Sequence, residues 1–184
     1  YRIGLIGSGA LGHLIRDRLE NGAVPRTELV SVFSLEEGSL QHILDHCDIV
    51  VEAAGQAALR AHGPVIIGHG KTLVALSNGV LADDEMARLL TSGPGRFVPS
   101  AGAIGGFDLV DALRISGELT DVSLHTVKTP SSLVQPWMSE HDRSVLESGA
   151  QFVNVFTGTA RDATRLFPAN ANVAATLGVR SIGL

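Results

Sequence analysis

A chain of 184 residues, 45% hydrophobic and 4% aromatic with 21 glycines and 7 prolines, can bury a core as one domain or two small ones, which excludes a disordered chain. Its net charge of -5 is spread without any basic run, so the footprint of a phosphate-backbone binder is missing and nucleic acid is not an expected partner. No apolar run reaches bilayer length and no charged leader precedes the first strand pattern; the lone Cys47 closes no intrachain disulfide and builds no zinc framework, so a cytoplasmic protein with a buried thiol, no metal and no membrane contact is expected.

In chain order, residues 2–6 (RIGLI) form an apolar run that stops at glycine, and Leu11, Leu14, Ile15 and Leu19 follow at helical spacing. Residues 29–33 (LVSVF) predict a second strand, Leu40, Ile43 and Leu44 a short helix, and Ile49 to Val51 a third, buried strand. Residues 56–68 then predict a helix, 72–77 a strand, 82–90 a helix and 96–100 another strand. Such alternation predicts a parallel sheet with helical crossovers. After Ser100 the pattern changes: a glycine-rich bend over 101–106 leads into a helix over 107–116, and the alternation in DVSLHTVKT, 121–129, predicts a strand. Residues 151–156 predict one more strand, with short helices over 159–166 and 172–179 separated by Pro168.

Gly7-Ser8-Gly9-Ala10-Leu11-Gly12 follows a strand and opens an amphipathic helix. In that setting the first glycine permits a tight turn, the second a close approach of pyrophosphate to backbone and the third helix-on-strand packing, while the helix N-terminus offers free N–H groups. All six residues are therefore candidates for binding a dinucleotide. The end of the second strand carries Phe33 and Ser34 where an acid would grip a ribose 2'-hydroxyl; no arginine follows to attract a 2'-phosphate, so NAD or NADP is allowed. Glu36 and Glu37 are close enough to supply that acid, or else lie on the solvated start of a helix. Ala53, Ala54 and Gly55 close the third strand in small residues, which lets either a ribose or a nicotinamide pass close to the backbone or a helix pack tightly.

Three further stretches, PSAGAIGGFDLVDAL at 99–113, VKTP at 127–130 and GTARDATRLFPANANVAATL at 158–177, resemble the L-aspartate dehydrogenase family of NAD(P)-dependent enzymes, which are linked to NAD biosynthesis. The resemblance runs across nearly the whole chain. It implies an α/β fold, with an N-terminal Rossmann-type parallel sheet over 1–100 and an incomplete C-terminal α+β substrate and dimerisation domain over 101–184. The implied reaction is oxidation of L-aspartate through iminoaspartate to oxaloacetate and ammonia by a homodimer. It further implies cofactor contacts at Ala103 and Asn172, the latter competing with an N-cap role. Lys128 and Arg161 are the implied cationic partners of the dicarboxylate, or else ordinary surface charges.

The family's catalytic histidine belongs to an Asn-x-His segment expected beyond Leu184, and none of the seven histidines of this chain matches it. The span from Gly12 to DIVVEAA is also shorter than in family members, as though residues were missing after Phe33. Two rivals stay open on these residues: another two-domain NAD(P) oxidoreductase, homoserine dehydrogenase-like, and a non-catalytic nucleotide-binding module.

Overall fold

In the computed structural model, which describes residues 1–149 and 152–184, the first hundred residues alternate strand and helix. β1 (Arg2–Ile6), β2 (Glu28–Phe33), β3 (Ile49–Glu52), β4 (Thr72–Ala75) and β5 (Arg96–Pro99) form one parallel sheet in the order β2-β1-β3-β4-β5. The chain steps from β1 to β2 on one side and then returns to the other side of β1 for β3. At that reversal the connections leave in opposite directions, which opens a crevice at the carboxyl ends of β1 and β3.

Burial explains the strand sequences. Leu5, Val50 and Leu73 have no exposed surface, and Ile43, Leu59 and Leu90 from three of the covering helices close over the sheet. Those helices are α2 (Leu40–His46), α3 (Gln56–Gly68) and α4 (Asp84–Thr91), with α1 (Ala10–Glu20) also set on the sheet. Each fully buried aliphatic side chain contributes about 1.5–3 kcal/mol, and this layer holds the sheet's edge rigid. A 3-10 turn, Asn78–Ala82, fills the gap between the strand predicted over 72–77 and the helix predicted over 82–90, and separates β4 from α4.

Three expectations are corrected. Leu11 and Leu14 are 56% and 51% exposed, because α1 packs through Gly12, Ile15 and Leu19 on the adjoining stripe. Glu36 and Glu37 lie on a tight turn before α2 rather than on its first turn, and Glu37 pairs with Arg16 at 3.1 Å. Residues 121–129 form no strand, nor do 152–156; Gln151 lies outside the described residues. Alternation of apolar residues permits a strand, but only a hydrogen-bonded neighbour makes one, and among the described residues neither segment has one.

The second half is helical: α5 (Phe107–Ser116), α6 (Pro130–Leu133), α7 (Glu140–Ser148), α8 (Ala160–Leu166) and α9 (Asn172–Arg180). The sequence reading missed α7 although Ser139 caps it, accepting from the Asp142 amide. Met138, Leu146 and Phe167 form a small core of their own, with Trp137 edge-on to Phe167 at 5.5 Å. α9 returns to the first half and packs against the 3-10 turn. Its last residue, Arg180, sits over the Phe107 ring at 4.4 Å and pairs with Asp111, whose carboxyl it holds below the usual range. None of the described helices is long and apolar enough to cross a membrane.

The starts of β1 and β3 are clamped by Asp48, which accepts from the Arg2 amide at 2.8 Å and from its guanidinium at 2.7 Å. These bonds lower the Asp48 carboxyl from 3.8 to about 2. A carboxyl depressed on folding stabilises the fold above its unfolded pKa and loses that effect as pH falls through the folded value. Asp48→Asn should therefore flatten the acid limb of the stability curve between about pH 4 and about pH 2, as read by denaturant melts at stepped pH.

Candidate functional site

The three glycines after β1 have separate steric duties. Gly7 leaves the strand at φ 111, and a Cβ on it would stand 2.6 Å from the Ala53 carbonyl oxygen and 2.8 Å from the Ala54 nitrogen. Gly12, inside α1, has no room for a Cβ because the Gly7 carbonyl oxygen occupies that position. Gly9 differs from both: its backbone, φ -75 and ψ -173, is open to any residue, and a Cβ there would meet nothing within 4 Å. Two glycines are thus consumed by packing, and the middle one faces free space.

That space lies at the N-terminus of α1, which has no side-chain cap and no acidic residue in its first turn. Uncapped amides and the positive end of the helix dipole suit an anion, so the cradle fits the pyrophosphate of a dinucleotide. Ser8, Ala10 and Leu11, all exposed, line the same turn.

The loop after β3 is the second wall. Ala53 donates its amide to the Ile6 carbonyl at 2.8 Å, which lays Ala53 and Ala54 against Gly7. Gly55 caps α3 at φ 115 with nothing within 4 Å of a Cβ position. The loop's shape depends on Glu52, a residue the sequence reading passed over. Its carboxylate is 1% exposed; Oε1 accepts from the amides of Ala54 and Gly55, both at 2.8 Å, and from the Ser77 hydroxyl at 2.9 Å, while Oε2 accepts from the Ser77 amide at 3.1 Å. The available signal was a single charge inside the apolar run IVVEAA, residues 49–54.

The third wall is the junction of the 3-10 turn with α9. Asn172 accepts from the Gly79 amide at 2.9 Å through Oδ1, and the neighbouring Asn78 donates from Nδ2 to the Ser100 carbonyl at 2.9 Å and to the Thr176 hydroxyl at 2.8 Å. The Asn78 Oδ1 is buried with no partner among the described residues. Asn172 opens α9 without acting as its N-cap, a position held by Ala171 with no side-chain bond. The bend that carries Ala103 abuts the same helix, since a Cβ on Gly102 would stand 3.0 Å from Val173 Cγ2. Ala103 itself is exposed.

The remaining candidates contribute no side chain that is free to face the cradle, or stand on exposed segments. Ser34 follows β2, whose last residue accepts the Gly7 amide at 2.9 Å, but the Ser34 hydroxyl already receives the Glu36 and Glu37 amides at 3.2 and 3.3 Å. Lys128 is exposed in the non-repetitive segment 118–129. Arg161, on α8, donates to the Ala82 carbonyl and pairs with Asp84 at 2.8 Å, tying α8 to the 3-10 turn. His125 is exposed, His62 rests edge-on to Phe33 at 5.2 Å, and the His69 ring bonds the Val65 carbonyl at 2.8 Å. A hollow of about 280 Å³ beside α7, lined by Trp137, His141 and Val153 among others, lies away from the glycine cradle and shares no residue with it.

Comparison with known proteins separates the rivals left open above. Residues 3–92 match the family model described as homoserine dehydrogenase, NAD binding domain, and residues 108–184 match that described as aspartate dehydrogenase, C-terminal. The chain is 31% identical over 202 aligned positions to L-aspartate dehydrogenase of Serratia proteamaculans, with 100% of this chain and 74% of that protein covered. It belongs to the L-aspartate dehydrogenase family. The family's enzyme from Acinetobacter baumannii is 33% identical over 198 positions, covering 98% and 73% of the two chains. A crystal structure of aspartate dehydrogenase from Thermotoga maritima shares the fold at a TM-score of 0.64 and 23% identity, over 97% of this chain and 72% of that one.

Within this family member, the steric duties of the glycines can be told apart by stability. Gly12→Ala forces a methyl group into the Gly7 carbonyl and should cost about 1–3 kcal/mol in chemical denaturation. Gly9→Ala, which places its methyl group in open space, should stay within about 0.5 kcal/mol of the parent.

Proposed function

We propose that the protein is an NAD(P)-dependent oxidoreductase acting on the CH–NH2 group of L-aspartate. The products are iminoaspartate, then oxaloacetate and ammonia, with NAD(P)H. The observation that carries the reading is the open space at Gly9 before an uncapped helix N-terminus, at the reversal of the sheet. Family membership supplies the aspartate.

A nicotinamide held here would accept the hydride of the aspartate α-carbon while the amine gives up a proton, and water would then release ammonia from the imine to leave oxaloacetate. The chain's own residues bind and orient. In this proposal residues 1–100 hold the cofactor: Gly7 to Gly12 take the pyrophosphate and Ser34 the adenosine ribose. With no carboxylate or arginine at the end of β2 to discriminate, either NAD or NADP is accepted. Ala53 to Gly55, Ala103 and Asn172 flank the nicotinamide half. In residues 101–184, Lys128 and Arg161 take the substrate carboxylates, with Arg161 exchanging Asp84 for substrate. The histidine that assists water attack is assigned to no residue of this chain.

We further infer a cytoplasmic homodimer whose product is of use in NAD biosynthesis.

Full-length protein given L-aspartate and NAD or NADP should generate reduced-cofactor absorbance; no turnover with aspartate, or with oxaloacetate plus ammonia, overturns the assignment. The role of Asn172 can be isolated by two substitutions. Asn172→Asp keeps the acceptor for the Gly79 amide, so its melting should stay within about 1 kcal/mol while cofactor affinity falls about tenfold with the lost amide donor. Asn172→Ala should lower both.

A further inference from the structure

Glu52 connects the walls of the site. Through Ala54 and Gly55 its carboxylate orders the loop that lies on Gly7, and through Ser77 it reaches the segment whose Gly79 amide is held by Asn172. Ser77 and Gly79 are two residues apart, so Asn172 lies within about a dozen ångströms of this carboxylate. Among the described residues Glu52 enters no ion pair, and all its bonds come from donors, the pattern of an acceptor-only carboxylate. A buried charge without a counter-ion is costly unless its lone pairs are satisfied, and here three amides and a hydroxyl satisfy them. They leave its net charge in place.

We infer that Glu52 is a positioning residue that joins the two cofactor loops, and that its buried negative charge makes the site prefer the oxidised dinucleotide, whose nicotinamide ring is cationic, over the reduced one. The inference rests on the cofactor reading above. A neutral glutamine of the same shape would keep one acceptor oxygen but turn an NH2 group toward a donor, loosening both loops and removing the charge. Loosening alone weakens both redox forms by the same factor; loss of the charge weakens the oxidised form more. One unit charge felt across about a dozen ångströms, the reach from Glu52 to Asn172, at an effective dielectric of about 20 corresponds to a difference of roughly tenfold.

Dissociation constants of full-length protein for NAD and NADH, or for the NADP pair, are measured by fluorescence titration in the parent, Glu52→Gln and Ser77→Ala. The expected result in Glu52→Gln is an oxidised-form constant that rises roughly tenfold more than that of the reduced form. Ser77→Ala, which keeps the charge but removes one bridging bond, should weaken both forms a few-fold at an unchanged ratio. An unchanged ratio in Glu52→Gln, or parent-like binding of both forms by Ser77→Ala, overturns the inference. Should Glu52→Gln fail to fold, the parent decides: tighter binding of the oxidised form supports the inference, and tighter binding of the reduced form overturns it. A parent that binds no dinucleotide overturns the cofactor reading itself, an outcome distinct from a parent that binds and variants that change nothing.

Discussion

The backbone of Ala53 and Ala54 lies where a side chain on residue 7 would be, and the rest of the site depends on that contact. Because β1 and β3 are neighbours in a parallel sheet, the chain leaves both at the same edge, and two loops must share the space above it. Gly7 yields its Cβ position to the loop after β3. The turn this requires brings the Gly7 carbonyl against α1, which leaves no room for a side chain at residue 12 either. Gly9, one turn away, is freed from packing, and the helix end in front of it stays open.

A loop pressed against bare backbone still has to be held from its other side. Glu52 does this with a carboxylate that receives the loop's own two amides and the amide and hydroxyl of Ser77 at the next strand's exit. Charge is tolerated there because donors surround it, and those donors become rigid in return. Rigidity then passes along the carboxyl edge of the sheet through Ser77 and Gly79 to Asn172, so that a helix from the far end of the chain completes the crevice. The second half is anchored to the first by Asn172 and Thr176 on the 3-10 turn and by Arg161 on Ala82 and Asp84, while Arg180 against Phe107 and Asp111 ties its last helix to its first.

Much of this is legible in the sequence. The strands at 2–6, 49–52 and 72–75 are short apolar runs that read clearly because a parallel sheet buries both faces, and α3 runs over the residues its periodicity marks. Legibility ends where a residue's partner is distant in sequence. Leu11 and Leu14 have the right spacing for a packed stripe, yet the neighbouring stripe with Gly12 faces the sheet, because only a residue without a side chain lets α1 come that close. Residues 121–129 alternate as a strand does and remain unpaired among the described residues, since pairing is a property of two segments. Asn172 could be read as a cap or a ligand; its bond to Gly79, 93 residues away, is neither.

By itself the sequence determined the nature of the fold and of the cradle: alternating strand and helix, and three glycines spaced for turn, approach and packing. These are local properties, set by backbone sterics and by the period of apolar residues. Tertiary structure decided which glycine stays open, which face of α1 is buried, and that Glu52 rather than the small residues beside it governs the loop. Each of those outcomes depends on which atoms lie opposite, and that is known only once β3 has taken its place beside β1.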